Sequence, residues 1–372
     1  MLHRIQRFHR YLHNEISHLY RVKSRPERSP FVPVSISIVC MNSRIGHLVR
    51  RHKPLLSAVI CFVLTALAPT PAPLYAAAIS SNPIEVGDVR WNRDYQRALN
   101  KSRQTGKPLF LLFQEVPGCI GCQNFGQQVL THSLLVEAIE DEFIPVLVYN
   151  NRSNGMDKEV LERFDEPSWN YQVIRFVDAD QADVIPRRDR IWDIGGVAAR
   201  MIEALEAVGR TVPRYLRAVA VEYDRDNRET AVFEMACFWT GEYSLGGIDG
   251  VVSTEAGWYG GREVTLVAYN RRQLSLERLV KTAAARNCAE AVYVDPEILL
   301  EAGNLAVKPF VRSRYRRAQP SDQKKQINEW LAEHSDLNLT PMQSTKLNAL
   351  MPGNREAAYS WLSPRQLAEL DR

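Results

Sequence analysis

Cysteine and histidine are scarce in the body of this 372-residue chain. Only four cysteines follow residue 78, and so few exclude a small fold built on a disulfide framework. These are Cys119, Cys122, Cys237 and Cys288. Only His132 and His334 follow the same point, and the sequence has no second CxxC motif to complete a tetrahedral zinc site. The sequence therefore predicts no metal site and no cofactor, and it points to thiol chemistry instead.

The hydrophobic run near the N-terminus is too short to span a bilayer comfortably. Residues 55–68 are 14 uncharged, mostly apolar residues, whereas a membrane-spanning helix needs about 20. Basic residues precede the run, and Tyr75-Ala76-Ala77-Ala78 offers the small residues that a signal peptidase requires. We therefore predict that residues 1–78 are a basic leader with a signal peptide, and that the protein is periplasmic or otherwise exported. The alternative is an uncleaved membrane anchor at residues 55–68.

The chain after residue 53 has no excess of positive charge. Residues 1–53 hold 11 Lys/Arg and 2 Asp/Glu, whereas the remaining residues hold 36 Lys/Arg and 41 Asp/Glu. The overall net charge of +4 thus combines a leader of +9 with a body of −5. A mildly acidic body argues against a nucleic-acid partner. The length allows two or three domains.

Short apolar runs and helical periodicity alternate in the first half of the body. Helices are predicted over residues 88–107 and 195–208, and another from the CxxC motif through Ile139. The predicted strands are residues 109–113, 143–149 and 173–177. A strand that leads into a CxxC motif and then into a helix is typical of the thioredoxin arrangement.

The motif Cys119-Ile120-Gly121-Cys122 has the spacing of a redox-active pair. Because the thiolate is the attacking species in disulfide exchange, a redox cysteine needs a depressed pKa and access to solvent. At the N-terminus of a helix, unpaired N–H groups stabilise the first thiolate, and the second cysteine can resolve a mixed disulfide. A structural disulfide or half of a zinc site are the alternatives. The preceding strand and the following helix favour redox chemistry.

Val116-Pro117-Gly118-Cys119-Ile120-Gly121-Cys122 resembles the Val-Pro-Gly branch of thioredoxin-like proteins. The resemblance covers about residues 85–210 and implies a thioredoxin-like domain, to which we assign residues 79–215. In that family a cis-proline before the third strand faces the active sulfur and guides the substrate. Here the run Asn170-Tyr171-Gln172-Val173 occupies the corresponding place, and the nearest proline, Pro167, lies five residues before Gln172. Either Gln172 stands in for the proline or the register differs.

A second cysteine motif follows a predicted strand at residues 231–236. The run Ala236-Cys237-Phe238-Trp239, and then the run from Gly250 to Gly257, resemble peptide methionine sulfoxide reductase A. That family has a Gly-Cys-Phe-Trp turn followed by Gly-Val-hydrophobic-Ser-Thr and a Gly-Tyr-x-Gly-Gly loop. The resemblance covers about residues 228–295. The loop that usually precedes the family's glutamate is shortened here to Arg262.

The resemblance implies that Cys237 is a nucleophile and Glu263 a proton donor. In that family the cysteine thiolate attacks the sulfoxide sulfur, while a glutamic acid protonates the departing oxygen. The oxidised cysteine is then a sulfenic acid that needs a resolving thiol, and Cys288 is the nearest one in sequence. Cys119 and Cys122 would reduce the resulting species.

The same resemblance implies an aromatic binding site for the substrate. Phe238 and Trp239 match the pair that holds the S-methyl group of methionine sulfoxide. Trp258 replaces the tyrosine of the family's glycine-rich loop, and Tyr259 is adjacent to it. An indole N–H can donate a hydrogen bond as the phenol does. We therefore include both residues among the expected substrate contacts.

The expected fold class is α/β (α+β), with three parts after the leader. The thioredoxin-like domain is followed by a shortened reductase-like α+β domain at residues 216–300 and a helical tail at residues 301–372. Thr340-Pro341 and Ser363-Pro364 are typical of an N-cap followed by the first helical position, so each predicts a short helix. The sequence assigns no activity to this tail.

The preferred interpretation is an enzyme that repairs oxidised proteins by reducing methionine-S-sulfoxide. Cys237 would carry out the reduction, and the CxxC motif would recycle it with electrons from a thiol–disulfide partner. One alternative is a general thiol–disulfide oxidoreductase whose second domain is not catalytic. Another is a binding or assembly factor whose cysteines form structural disulfides.

Overall fold

A computed structural model describes residues 82–169 and 172–371. Its first sheet has three strands in the order β2-β1-β3. The strands are β1 (Leu109–Gln114), β2 (Ile144–Tyr149) and β3 (Val173–Val177). β1 pairs with β2 in parallel and with β3 in antiparallel orientation. The three strands predicted from short apolar runs are therefore confirmed.

Helices cover both faces of this first sheet. They are α1 (Tyr95–Thr105), α2 (Ile120–Gln128), α3 (Ser133–Glu142), α4 (Gly155–Arg163), α5 (Ile194–Ala207) and α6 (Arg214–Glu222). Because neighbouring residues of a strand point to opposite faces, Leu111 packs with α1 and α4, while Leu112 packs with the other four helices. This double burial explains why β1 is apolar at every position but its last. The predicted domain boundary at residue 215 falls inside α6, whose Leu216 and Val219 belong to this core.

The single helix predicted from the CxxC motif through Ile139 is wrong, because the chain forms α2 and α3 instead. α2 packs closely on the segment before α1, since a Cβ on Gly126 would lie 2.0 Å from the carbonyl oxygen of Ile84. The carbonyl of Leu130, between the two helices, accepts a hydrogen bond from the Asp88 N–H at 2.9 Å. The break therefore satisfies backbone groups of the segment before α1.

The second sheet has six strands in the order β8-β7-β4-β6-β5-β9. They are β4 (Arg228–Glu234), β5 (Val251–Tyr259), β6 (Arg262–Asn270), β7 (Ala291–Val294), β8 (Lys308–Pro309) and β9 (Tyr315–Arg317). β5 and β6 form a hairpin whose turn residues, Gly260 and Gly261, both have positive φ, which glycine adopts without strain. The loop shortened in the sequence is thus a tight hairpin turn. The sheet continues to residue 317, so it crosses the predicted boundary at residue 300.

Three helices accompany the second sheet: α7 (Phe238–Gly246), α8 (Leu276–Ala285) and α9 (Pro296–Glu301). α7 lies directly on the sheet, since a Cβ on Gly241 would lie 2.1 Å from the Thr265 Oγ1 atom. Phe233, Val267 and Leu279 share the core between sheet and helices. We call residues 82–222 that the structure describes the first domain, and residues 228–317 the second domain.

Four α-helices follow the second domain: α10 (Asn328–Glu333), α11 (Pro341–Leu350), α12 (Arg355–Tyr359) and α13 (Pro364–Leu370). The two predicted helix starts are confirmed, because Thr340 and Ser363 each form a capping box with a glutamine three residues later. Those glutamines, Gln343 and Gln366, also bond to each other, with Nε2 of the first donating to Oε1 of the second at 2.7 Å. The repeated sequence pattern is therefore two similar caps that meet.

These C-terminal helices contact both domains. Arg365 of α13 forms ion pairs of 2.9 Å with Glu140 and with Asp141, both on α3. The N–H of Met342 donates to the Glu222 carboxylate of α6 at 3.2 Å. Lys346 of α11 donates to the carbonyl of Gly246 at the end of α7 at 2.9 Å. The tail thus joins the first domain to the second.

The mixed α/β fold class with a helical C-terminal region is confirmed. Within the residues that the structure describes, no helix combines the length and the apolar character that crossing a membrane requires. The predicted leader at residues 1–78, including its hydrophobic run at 55–68, lies outside the described residues. The signal peptide and the export that it implies therefore stay predictions.

The buried Lys346 predicts how the stability of the protein depends on pH. Its side chain is fully buried, and burial lowers the pKa of its ammonium group from 10.5 to about 7. Between these two values the unfolded chain binds more protons than the folded chain. The free energy of unfolding is therefore expected to rise with pH across that window, by at most about 1.4 kcal/mol per pH unit from this group.

Urea unfolding of the whole chain at several pH values, followed by tryptophan fluorescence, measures this slope. Lys346→Met is expected to remove its own part of the slope between about pH 7 and 10.5. The exposed Lys101 on α1 provides the control, because Lys101→Met is expected to leave the slope unchanged. An identical slope in Lys346→Met and in the unmodified protein would contradict the assignment.

Candidate active sites

Cys119 and Cys122 lie at the N-terminus of α2, close behind the end of β1. Cys119 is the N-cap residue of the helix and is exposed, whereas Cys122 is buried in its first turn. Their sulfur atoms are 3.7 Å apart, so a small movement closes a disulfide. Burial, with a further contribution from the hydrogen bond to Cys119, raises the pKa of Cys122 to about 12. This asymmetry suits Cys119 to attack and Cys122 to resolve.

The turn that delivers Cys119 to the helix is held by polar contacts. A Cβ on Gly118 would lie 2.3 Å from the carbonyl oxygen of Glu115, so the turn requires glycine there. The Gly118 N–H donates to the buried carboxylate of Glu85 at 2.9 Å. Asn151 donates from Nδ2 to the Pro117 carbonyl at 3.3 Å. Side chains from two other segments thus fix the position of the motif.

Glu115 adds a carboxylate beside the two thiols. One of its oxygens accepts the Cys119 N–H at 3.4 Å. A carboxylate oxygen of Glu115 and the sulfur atoms of Cys119 and Cys122 all lie within 4.8 Å of one another. Among the described residues this is the group whose geometry could hold a metal ion, with three ligands of a tetrahedral site. The same closeness is required of a dithiol that forms a disulfide.

Gln172 lies beside the CxxC motif, as it must if it stands in for the proline of the family. It directly precedes β3, where Val173 pairs with Phe113 of β1. Its backbone has φ of +50°, in the left-handed region that non-glycine residues rarely adopt. A Cβ built on Gly121 would lie 3.7 Å from Gln172 Nε2 and 3.6 Å from Cys119 Sγ. The carboxamide therefore borders the space beside the exposed sulfur.

The second candidate site lies between β4 and α7. Cys237 is the N-cap residue of α7 and is half-buried. Glu263, near the start of β6, reaches the same helix end, where its Oε2 accepts the Phe238 N–H at 2.9 Å. The carbonyl of Glu263 also accepts the Met235 N–H at 3.2 Å. The N–H of Phe238 has no partner within the helix, so it holds the Glu263 carboxylate one residue after Cys237.

Three aromatic side chains stand at this helix end. The ring of Phe238 lies 5.8 Å from that of Trp239 and 5.6 Å from that of Trp258, centre to centre, both edge to face. Trp258 is directly opposite Glu263 in the pairing of β5 with β6, so both point to the same face of the sheet. The residues that the structure brings together are Cys237, Phe238, Trp239, Trp258 and Glu263.

Tyr259 does not join this group. Because neighbouring strand residues point to opposite faces, it lies on the other face of the sheet from Trp258. There its ring is buried against those of Tyr293 and Phe310, at 4.6 Å and 5.5 Å between centres. Its hydroxyl accepts the Val311 N–H at 3.1 Å. This geometry does not support the expected contact of Tyr259 with the substrate.

Residues 318–325, which we call the C-terminal wall, complete the surroundings of the aromatic group. Ala318 packs against Phe238 and Ala256. Gln323 bonds to both backbone groups of Ala256, at 3.0 Å to its N–H and 2.9 Å to its carbonyl. The Lys325 Nζ lies 5.3 Å from the centre of the Trp239 ring. No local sequence pattern predicts this wall, because it depends on contacts between residues far apart in the chain.

Cys288 lies away from Cys237, in the core under α7 and α8. It is fully buried, its thiol donates to the Arg286 carbonyl at 3.3 Å, and burial raises its pKa. The thiol also bonds to the side chain of Ser244, seven residues beyond Cys237 on α7. At the rise of an α-helix, seven residues span about 10 Å. The structure therefore does not bring the expected resolving thiol to the nucleophile.

Part of the first domain is similar to a known family. A family model described as thioredoxin-like matches residues 90–179, which include the CxxC motif and the three strands of the first sheet. The chain is also similar to two curated proteins named peptide methionine sulfoxide reductase MsrA, from strains C7 and C6 of Methanococcus maripaludis. Each is 57% identical over 35 residues, which is 9% of this chain and 22% of the relative. The chain thus spans about a fifth of the length of these curated relatives.

Two solved structures are similar to parts of the chain. A DsbH oxidoreductase is 21% identical and aligns with 35% of this chain and 90% of its own, with a TM-score of 0.28. Methionine sulfoxide reductase A of Corynebacterium diphtheriae is 18% identical and aligns with 32% of this chain and 80% of its own, with a TM-score of 0.22.

Proposed function

We propose that this protein is a thiol-dependent oxidoreductase that reduces methionine-S-sulfoxide in oxidised proteins. The observation that carries the proposal is the hydrogen bond of 2.9 Å from the Phe238 N–H to Glu263. It fixes a carboxyl group at the helix end that also carries the half-buried Cys237. A nucleophile, a proton donor and an aromatic surface for a thioether then occupy one site. The short identity to two sulfoxide reductases adds support.

The reaction we propose begins with the Cys237 thiolate, which attacks the sulfoxide sulfur. Glu263 gives a proton to the sulfoxide oxygen as the bond from sulfur to oxygen breaks. The oxygen passes to Cys237, which becomes a sulfenic acid, and the product is the thioether of methionine. Phe238 and Trp239 offer apolar surface to the methyl group of the substrate, while Trp258 closes the side next to Glu263.

Recycling is assigned to the CxxC motif. The Cys119 thiolate attacks the sulfenic sulfur, water leaves, and a mixed disulfide forms with Cys237. Cys122 then attacks Cys119, which frees Cys237 as a thiol and leaves the motif oxidised. We prefer Cys119 to Cys288 for this step, because Cys119 is exposed and Cys288 is fully buried. An external thiol–disulfide partner supplies electrons to the oxidised motif.

The setting we propose for this reaction is outside the cytoplasm. The leader predicted at residues 1–78 directs export, to a periplasm or another oxidising compartment, with anchoring by residues 55–68 as the alternative to cleavage. Oxidation of methionine in such a compartment makes repair useful.

A general thiol–disulfide oxidoreductase remains the second candidate function. The completeness of the first site favours it, because Cys119 is exposed at a helix N-terminus with Cys122 at 3.7 Å. In this alternative the second domain is a scaffold without catalysis. The two candidates differ in whether Cys237 turns over a sulfoxide.

Turnover of a methionine sulfoxide peptide by the whole chain, with dithiothreitol as reductant, tests the proposal. We expect reduction of the S epimer, its abolition in Cys237→Ser, and a loss of about 10²- to 10⁴-fold in kcat in Glu263→Gln, because the proton donor is removed. Matched controls are Cys288→Ser for the first change and Glu255→Gln, on neighbouring β5, for the second. Both controls are expected to retain turnover.

Two results would count against the proposal. Full activity of Cys237→Ser would remove the nucleophile from the mechanism. Reduction of protein disulfides by a chain that leaves both sulfoxide epimers untouched would favour the second candidate function.

A further inference from the structure

We propose that the Gln172 side chain is a recognition element for polypeptide substrates of the CxxC motif, where its amide donates a hydrogen bond to a main-chain carbonyl beside the attacked sulfur. This inference rests on the proposed thiol–disulfide exchange at Cys119 and deepens it. It names the substrate class as disulfide-bearing or sulfenic-acid-bearing polypeptides, in preference to small soluble disulfides.

The first argument is an unsatisfied donor. Gln172 is only 5% exposed, yet its Nε2 has no hydrogen-bond partner within the part of the chain that the structure describes. A buried amide that lacks a partner destabilises the fold, so such groups are rare in folded proteins. The buried Nε2 of Gln172 is explained if a bound ligand accepts its hydrogen bond.

The second argument is the position of that donor. The place that a Cβ on Gly121 would occupy lies 3.7 Å from Gln172 Nε2 and 3.6 Å from Cys119 Sγ. The absence of a side chain at Gly121 thus leaves space between the donor and the attacking sulfur. A substrate whose sulfur approaches Cys119 brings the atoms next to that sulfur into this space.

The third argument is the strained backbone of Gln172. Its φ of +50° places a non-glycine residue in the left-handed region, where the backbone is strained. The ladder of β3 with β1 begins at the next residue, where Val173 pairs with Phe113. Strain of this kind is concentrated at binding and catalytic sites. Here it directs the carboxamide towards the CxxC motif.

The chemistry of the donor selects the occupant. An amide N–H binds an acceptor, and the acceptors nearest to a cysteine sulfur in a polypeptide are main-chain carbonyls. A small disulfide without peptide groups offers no such acceptor. Ile120, between the two cysteines, is 71% exposed and adds apolar surface beside Cys119. Apolar side chains that flank the substrate cysteine suit such a surface.

Gln172→Met tests the inference, because methionine keeps the length of the side chain and removes the donor. For a disulfide-bonded peptide, kcat/KM is expected to fall about 3- to 10-fold, the worth of one neutral hydrogen bond. For hydroxyethyl disulfide, which has no peptide carbonyl, kcat/KM is expected to stay within about 2-fold of the unmodified protein. The midpoint of thermal unfolding is expected to stay equal or rise, because an unsatisfied buried donor is gone.

Gln181→Met is the matched control, since Gln181 also has positive φ and lies in the turn after β3. It is expected to change neither substrate. Equal losses on both substrates in Gln172→Met, no loss on either, or a large drop in the unfolding midpoint would each overturn the inference. An unmodified protein that reduces neither disulfide would overturn the proposed exchange at Cys119 together with it, and so is distinguishable from failure of the glutamine alone.

Discussion

Without an added thiol, the fully reduced protein is expected to form about two molecules of methionine per chain from a methionine-S-sulfoxide peptide. In the proposed mechanism, the first turnover leaves Cys237 as a sulfenic acid. The two thiols of the CxxC motif then restore it, and a second turnover oxidises it again. Each methionine formed consumes two electrons. Oxidation of Cys237 to a sulfenic acid supplies two, and oxidation of the CxxC dithiol to a disulfide supplies two more, which gives two products. Rapid mixing and quantification of the product peptide measure this yield.

Cys122→Ser is expected to give about one methionine per chain, because the mixed disulfide between Cys119 and Cys237 then has no resolving thiol. Mass spectrometry of the digested variant should find that disulfide. Cys288→Ser is the control and is expected to keep the yield of about two, since we assign no role to that buried thiol. Equal yields with and without Cys122 would contradict recycling through the CxxC motif.

The CxxC motif of the first site could be predicted from the sequence because the motif, its strand and its turn are adjacent in the chain. The apolar run at residues 109–113, the turn at Gly118 and the cysteine spacing are local features, and each agrees with the structure. The exposure of Cys119 and the burial of Cys122 follow from their places at the start of α2. The interruption between α2 and α3 could not be predicted this way, because it depends on packing against the segment before α1.

The second site could be predicted only in part. Cys237, Phe238 and Trp239 are consecutive, so one motif placed them together. Tyr259 was expected beside Trp258, although adjacent strand residues face opposite ways. The glycines at residues 250, 257, 260 and 261 obscure the strand pattern of β5 in the sequence. Once the stretch is recognised as a strand, the separation of Tyr259 from Trp258 follows from the sequence alone.

The C-terminal wall could not be predicted from any local pattern. β9 joins the edge of the sheet next to β5, and the residues after it reach α7 from more than 70 positions away in sequence. Such contacts form only in the complete tertiary structure, so neither hydrophobic periodicity nor turn residues predict them. The sequence alone therefore assigns no role to the tail, although its C-terminal wall lines the site that contains Cys237.

Lys324→Met is expected to destabilise the second domain by about 3–5 kcal/mol, because it leaves a buried carboxylate without its cation. Glu242 on α7 is fully buried, and its Oε1 lies 2.6 Å from the Lys324 Nζ. Its other oxygen accepts the Lys324 N–H at 2.8 Å. The ion pair thus holds the C-terminal wall against α7, whose N-cap residue is Cys237. Urea unfolding followed by fluorescence measures the loss.

The exposed pair of Lys281 and Glu277 on α8 is the matched control, because its nitrogen and oxygen are also 2.6 Å apart. Lys281→Met is expected to change stability little, since exposed ion pairs contribute little. The double variant Glu242→Gln with Lys324→Met should recover much of the stability, because no buried charge is left unpaired. Sulfoxide turnover should fall in Lys324→Met as the wall detaches from Phe238 and Trp239, while disulfide reduction at Cys119 persists. Equal stability changes in the buried and exposed variants would show that the wall is held by its apolar contacts and by Gln323, and that the ion pair adds nothing.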